Sequence, residues 1–245
     1  MTLQAQLILG TATKKRETIM TIRSIAFDLD DTLLDTTGLL VPQASQDAFQ
    51  ILIDAGLSLD LKTCEEQRLS LIRTISHKDV FKKLAHEHGN SATQAAVELA
   101  NKAFYHPRLP EKLDLLPGAL ENLNILSQKY NLYLVTAGFQ DAQSAKVNSL
   151  GISHFFKKIF VVNSLNAEKK FTAFKMILDG ENIKANELLC VGNSLSSEIK
   201  DARQIGAWAC YFEFGEDRGS VPKEPEFQPH FHVKTHQELI AACQL

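Results

Sequence analysis

Short apolar runs alternate with longer stretches of helical period, and that alternation restricts the fold of this chain more than any other feature. Ile22 to Leu29 reads IRSIAFDL, and Leu132–Thr136, Lys158–Val162 and Leu188–Gly192 repeat the pattern, with Ala207–Phe212 as a fifth run. Runs this short and this continuously apolar suit strands buried on both faces of a parallel sheet. Pro117 to Lys129, with Leu120, Leu123 and Leu126, reads as a helix before the second run, and Gln140 to Leu150 as another before the third. Strand, helix, strand in this order calls for right-handed crossovers and an α/β core of three layers, helices covering both faces of a parallel sheet. Ligands in such sheets sit beyond the carboxyl ends of the strands.

One interval breaks the alternation. From about Thr36 to Glu111 the pattern is helical, with apolar residues at Phe49, Ile51, Leu52, Ile53, Leu69, Ile72, Val80, Phe81 and Leu84, and Pro107 and Pro110 mark the return. The expected division is therefore a core of residues 21–35 and 112–245, a helical insertion of 36–111, and a leader of 1–20. The leader places its apolar stretch before Lys14, Lys15 and Arg16, the reverse of a secretory signal, so secretion is not expected. Gly219 to Pro229 reads as a surface loop before a last helix from about Thr235.

With 26 Lys and Arg against 29 Asp and Glu, the net charge of −3 offers no electrostatic case for nucleic acid or an anionic membrane. No apolar run approaches the roughly 18 residues of a spanning helix. Cys64, Cys190, Cys210 and Cys243 lack the close spacing of a zinc or redox motif, and reduced, buried thiols in a cytoplasmic protein are expected. His86 with His88, and His230 with His232, lack further ligands and are read as surface histidines. Phe104, Tyr105 and His106 are read as packing residues near the return from the insertion. A small molecule is the expected partner, and the chain is expected to be a monomer or a homodimer.

The first run ends in FDLDDTLLD. Asp28 and Asp30 stand two positions apart, so an extended backbone projects both carboxylates to one side. Two such anions about 4 Å apart repel by about 4 kcal/mol at an effective dielectric near 20, which calls for a cation, a shared proton or solvent. Magnesium is the cation expected.

This segment, together with the order of the later motifs along the chain, resembles the haloacid dehalogenase superfamily. Its phosphatase members open with a strand ending in aspartate, any residue and a second aspartate, then carry a helical cap on a Rossmann-like core. The resemblance implies that Asp28 attacks phosphorus and that Asp30 protonates the departing oxygen, then activates water against the phospho-aspartate. It implies phosphate binding by Thr136 and the amides of Ala137 and Gly138 in LYLVTAGF. It implies a lysine before a helix in NAEKKFTAFKMIL, where the spacing to Phe174 favours Lys169 over Lys170 as both catalytic and phosphate-binding. In LCVGNSLSSEIKDA it implies a magnesium site of Asp28, the Asp30 carbonyl, Asn193 and Glu198, the last reaching directly or through a water. Asn193 and Glu198 stand where many members have aspartate, and Asp201 is read as a helix-surface charge. The expected activity is hydrolysis of a small phosphorylated metabolite. A sugar-phosphate mutase shares the same motifs, and the altered fourth motif also suits a weakly catalytic binding protein.

Overall fold

The computed structural model describes residues 21–163, 168–216, 224–225 and 228–245. The leader, and most of the loop expected at Gly219 to Pro229, lie outside these residues.

Six strands form one parallel sheet: β1 (Ser24–Phe27), β2 (Asn131–Ala137), β3 (Lys158–Val162), β4 (Leu188–Gly192), β5 (Trp208–Phe212) and β6 (Phe231–Val233). Their order is β3-β2-β1-β4-β5-β6, every neighbouring pair parallel. The strand carrying the two aspartates is thus interior, with β2 and β4 on its sides. Alternate residues point to opposite faces. Ile25, Phe27, Leu132, Leu134, Leu189 and Val191 pack against Leu123 and Leu126 of α6 (Ala119–Leu126), Val147 of α7 (Gln140–Leu150) and Leu239 of α10 (His236–Ala242). Ala26, Tyr133, Val135, Cys190 and Ala209 face the other way, onto Phe174 and Ile177 of α8 (Lys170–Glu181) and Ala202 of α9 (Lys200–Ile205). Leu120, grouped by spacing with Leu123 and Leu126, is exposed.

The segment between β1 and β2 folds as helices α1 (Thr36–Leu39), α2 (Val41–Asp54), α3 (Leu61–Leu71), α4 (His77–His88) and α5 (Ser91–Tyr105). Side-chain caps set four of these starts: Asp35 accepts from the Gly38 amide, Asp60 from Thr63, Ser76 from Asp79, and Asn90 from Ala92 and Thr93. The helices bury a core of their own, including Phe49, Leu52, Val80, Phe81, Leu84 and Phe104, with Phe81 edge-on to Phe49 at 5.0 Å and to Phe104 at 5.3 Å. Leu69 is exposed rather than part of it. The chain leaves and returns side by side, through an antiparallel bridge of Leu34 with Leu115 and a bond from the Leu116 amide to the Leu33 carbonyl.

All four cysteines are free and buried. Among the described residues no helix is long and apolar enough to cross a membrane.

Candidate active site

Beyond Phe27 the chain keeps its register for one more residue, the Asp28 amide donating to the Val191 carbonyl at 2.9 Å. It then turns sharply. The Leu33 and Leu34 amides both return to the Leu29 carbonyl, and Asp31 takes a positive φ of 53°. The Asp31 carboxylate accepts from the Thr37 amide and hydroxyl at 2.8 and 2.7 Å, which fixes the start of the insertion. The turn sends Asp28 into the protein and Asp30 toward α7.

Asp28 is 6% exposed and accepts a bond from Lys170 Nζ at 2.6 Å. The same ammonium also contacts Glu198. Burial, with the negative charges of Glu198 and Asp30, pushes Asp28 up to about 7 against the pull of Lys170. Lys170 is buried too, yet its two carboxylate partners outweigh that burial and hold its pKa above the ordinary lysine value.

The lysine that contacts Asp28 is therefore Lys170, and the expectation that Lys169 stands there is corrected. Lys169 is the exposed residue just before α8, and no contact joins it to Asp28. Lys170 opens that helix on its inner side, in phase with Ala173, Phe174 and Ile177. Both lysines line a small cavity of about 140 Å³ with Ala137, Ser197 and Asp201.

Glu198 is presented by a wide turn over Leu195–Ile199, where the Ile199 amide reaches back five residues to the Ser194 carbonyl. Its second oxygen accepts from the Ser194 amide at 2.9 Å. The turn passes so close to β4 that a Cβ on Gly192 would lie 2.5 Å from Glu198 Cγ. Asn193 donates its amide to the Phe214 carbonyl at 3.3 Å, leaving Oδ1 as the oxygen it can offer. Asp201 is not a surface charge: it is 5% exposed and accepts from the Phe171 amide at 2.8 Å, tying α9 to the start of α8.

Thr136 is fully buried, and its hydroxyl donates to Gln143 Oε1 at 3.1 Å rather than standing open toward a phosphate. The Gly138 amide donates to the Val162 carbonyl. Gly138 itself has a φ of +148°, and a Cβ there would meet Gln143 Nε2 at 2.8 Å, so the close approach of Gln143 requires glycine.

Sequence reasoning missed the partners of Asp30. Lys146 Nζ bonds its Oδ1 at 2.7 Å, the Thr36 hydroxyl bonds the same oxygen, and Gln143 Nε2 bonds Oδ2 at 3.1 Å. Burial opposes ionisation of Asp30, but Lys146 and these bonds prevail and hold it below the usual carboxylate value. The available signal was positional: Gln143 and Lys146 are polar residues in phase with Ala142 and Val147, on the buried side of α7.

Two carboxylates, Asp28 and Glu198, share one ammonium, so the site carries an excess of negative charge that suits a divalent cation. Among the described residues no three His, Cys, Asp or Glu side chains converge as metal ligands. A cation here therefore rests on two carboxylates supplemented by neutral oxygens, a donor set that magnesium accepts. His230 and His232 belong to other contacts: His232 meets Glu213 at 2.7 Å, and His230 Nδ1 accepts from the Ala209 amide at 3.0 Å. Phe104 packs in the insertion core, whereas His106 reaches Asp141 of α7 at 3.0 Å.

The sequence pattern described as haloacid dehalogenase-like hydrolase matches residues 25–211, most of the chain and every acidic and basic residue of the site. The chain belongs to the haloacid dehalogenase-like hydrolases. It is similar to the HAD-hydrolase YfnB of Bacillus subtilis, 26% identical over 89% of this chain and 93% of that protein. It is also similar to the glyceraldehyde 3-phosphate phosphatase of Pyrococcus abyssi, 31% identical over 79% of this chain and 82% of that one. A crystal structure of YfnB bound to magnesium superposes with a TM-score of 0.65 at 22% identity, over 92% of this chain and all of that one. Within the haloacid dehalogenase-like hydrolases this chain is an enzyme of the phosphatase type, in keeping with its second acid at Asp30.

Proposed function

We propose that this enzyme hydrolyses a small phosphomonoester in two steps through Asp28. In the first, an Asp28 oxygen bonds to phosphorus, the ester bond breaks, and Asp30, ionised at rest, passes to the leaving alkoxide a proton that it takes from the monoanionic ester as the ester binds. In the second, Asp30 takes a proton from water as that water attacks the phospho-aspartate, releasing phosphate and restoring Asp28. Lys170 neutralises Asp28 and the phosphoryl oxygens throughout. Magnesium, held by Asp28, the Asp30 carbonyl, Asn193 and Glu198, would supply further positive charge to the phosphoryl group when bound. The insertion acts as the cap that excludes water, and a groove of about 1540 Å³ runs between α4 and α5 toward Phe139 and Asn163.

The observation that carries this reading is the placement of two aspartates at the end of one interior strand, each bonded to its own buried lysine. Two identical groups are thereby set to different tasks. A chromogenic phosphomonoester should be cleaved in a magnesium-dependent manner, with kcat lower by about 10²- to 10⁴-fold in Asp28→Asn and in Asp30→Asn, the latter through loss of the base that activates water against the phospho-aspartate. Acid quench after a labelled substrate should leave phosphate on Asp28. Label on another residue, or wild-type turnover no faster than the variants, defeats the proposal. Glyceraldehyde 3-phosphate heads the substrate panel, and release of free phosphate separates a hydrolase from a mutase.

A further inference from the structure

We propose that Lys146 is a positioning residue for this reaction: it pins one oxygen of Asp30 and thereby assigns proton transfer to the other. The inference rests on Asp30 being the acid and base of the proposed hydrolysis.

A carboxylate oxygen has two lone-pair sites. On Asp30, Oδ1 takes bonds from both Lys146 Nζ and the Thr36 hydroxyl, so it is saturated. Oδ2 takes one, from Gln143 Nε2, and keeps one site. The Asp30 side chain is 26% exposed and that of Lys146 only 5%, so the lysine approaches from the protein while the carboxylate edge reaches the solvent side.

The donors are themselves fixed. Gln143 is 3% exposed and uses its whole amide: Nε2 donates to Asp30 Oδ2 and to the Ala137 carbonyl at 3.2 Å, while Oε1 accepts from Thr136. A carbonyl can only accept, so the Ala137 contact fixes which end of the amide faces Asp30. Gln143 and Lys146 are three residues apart on α7 and lie on one face of it. One helix thus grips both oxygens, and rotation of the carboxylate would break bonds to buried groups at both ends. Oδ2 is the oxygen that gives its proton to the leaving group and takes one from water.

Two esters with different leaving groups separate this role from a merely structural one. An ester with a basic, alkyl leaving group needs a well-aimed proton, whereas 4-nitrophenolate departs with little help. We expect Lys146→Met to lower kcat/KM for glycerol phosphate by about 10²-fold, at the low end for losing proton assistance. For 4-nitrophenyl phosphate the loss should stay under about 10-fold on the same scale. Lys146→Arg, which keeps a cationic donor, should recover part of the loss on the alkyl ester, and circular dichroism should show both variants folded. Asp30→Asn is the control. If it shows the leaving-group dependence while Lys146→Met loses evenly on both esters, or loses nothing, the role of Lys146 is overturned alone. If Asp30→Asn itself loses evenly, the reading of Asp30 as the acid falls, and this inference with it.

Discussion

Lys169 and Lys170 differ by one position and by everything that matters to the chemistry, because a helix turns about 100° between neighbours. Lys170 shares the inward phase of Ala173, Phe174 and Ile177, and that phase carries its ammonium to Asp28, while Lys169 stays outside. Lys170→Met should therefore lower kcat/KM by about 10²- to 10³-fold, the usual scale for losing a charged group at a developing phosphoryl charge. Lys169→Met should change it by less than about 3-fold on the same scale. Steady-state assays of both variants check this, and equal losses would remove the distinction. The sequence held the answer in the spacing of 170, 173, 174 and 177, which outranks a motif aligned by counting from Phe174. The acidic pair was legible because a continuous apolar strand precedes it. Lys146 and Gln143 were not, because a polar residue in the buried phase of a short helix reads as ordinary surface until its partner, more than a hundred residues away, is in place.

Elements were legible in proportion to their length and burial. Five strands stood out because both of their faces are covered, and the insertion because its helices keep a 3.6-residue period around Phe49, Phe81 and Phe104. β6 did not: Phe231–Val233 is three residues long and carries His232, too little for any period to show. The chain end is docked by α10 and its C-cap, which bury Leu239 and Cys243 in the core of the sheet and add a polar contact through His236. His236 is 1% exposed; its Nε2 donates to the Thr32 carbonyl at 2.7 Å, in the turn that carries Asp30, so its Nδ1 is the acceptor for Asn122 of α6 at 3.3 Å. Burial lowers its pKa below the ordinary value, against the bond to Thr32. The fold thus prefers the neutral ring. That contribution to stability is full above the unfolded value of about 6.5 and is lost as pH falls through the folded value. Between pH 7.5 and 5.5 the wild-type Tm should fall on the order of 2 °C more steeply than that of His236→Gln, which keeps a neutral donor and acceptor. Parallel melting curves across that range would contradict the assignment.

At the scale of the whole molecule, the insertion and the sheet are separate hydrophobic cores, and charged groups help to fasten one to the other. Arg68 of α3, 3% exposed, pairs with Glu65 of its own helix and with Glu216, which follows β5 on the core side. His77 of α4 approaches the same Glu216 at 3.0 Å. Burial alone would raise the pKa of Glu216, but His77 and Arg68 together bring it down to about 2. Its stabilisation is therefore fully present above the unfolded carboxylate value near 4.3 and is lost as pH falls toward 2. Glu216→Gln should cost about 3 kcal/mol at neutral pH, the low end for breaking a buried pair, since Glu65 still faces Arg68. The cost should shrink on acidification from about pH 4.5 downward, as the wild-type carboxylate is neutralised in its turn. The loss should also be uneven in space. Trp208, the single tryptophan, lies in β5 and reports the sheet, whereas α2 to α5 dominate the helical signal of the insertion. In urea, the variant should lose helical circular dichroism before tryptophan fluorescence changes, where the wild type loses both together. Coincident transitions in Glu216→Gln at an unchanged midpoint would show that Glu216 does not fasten the two cores.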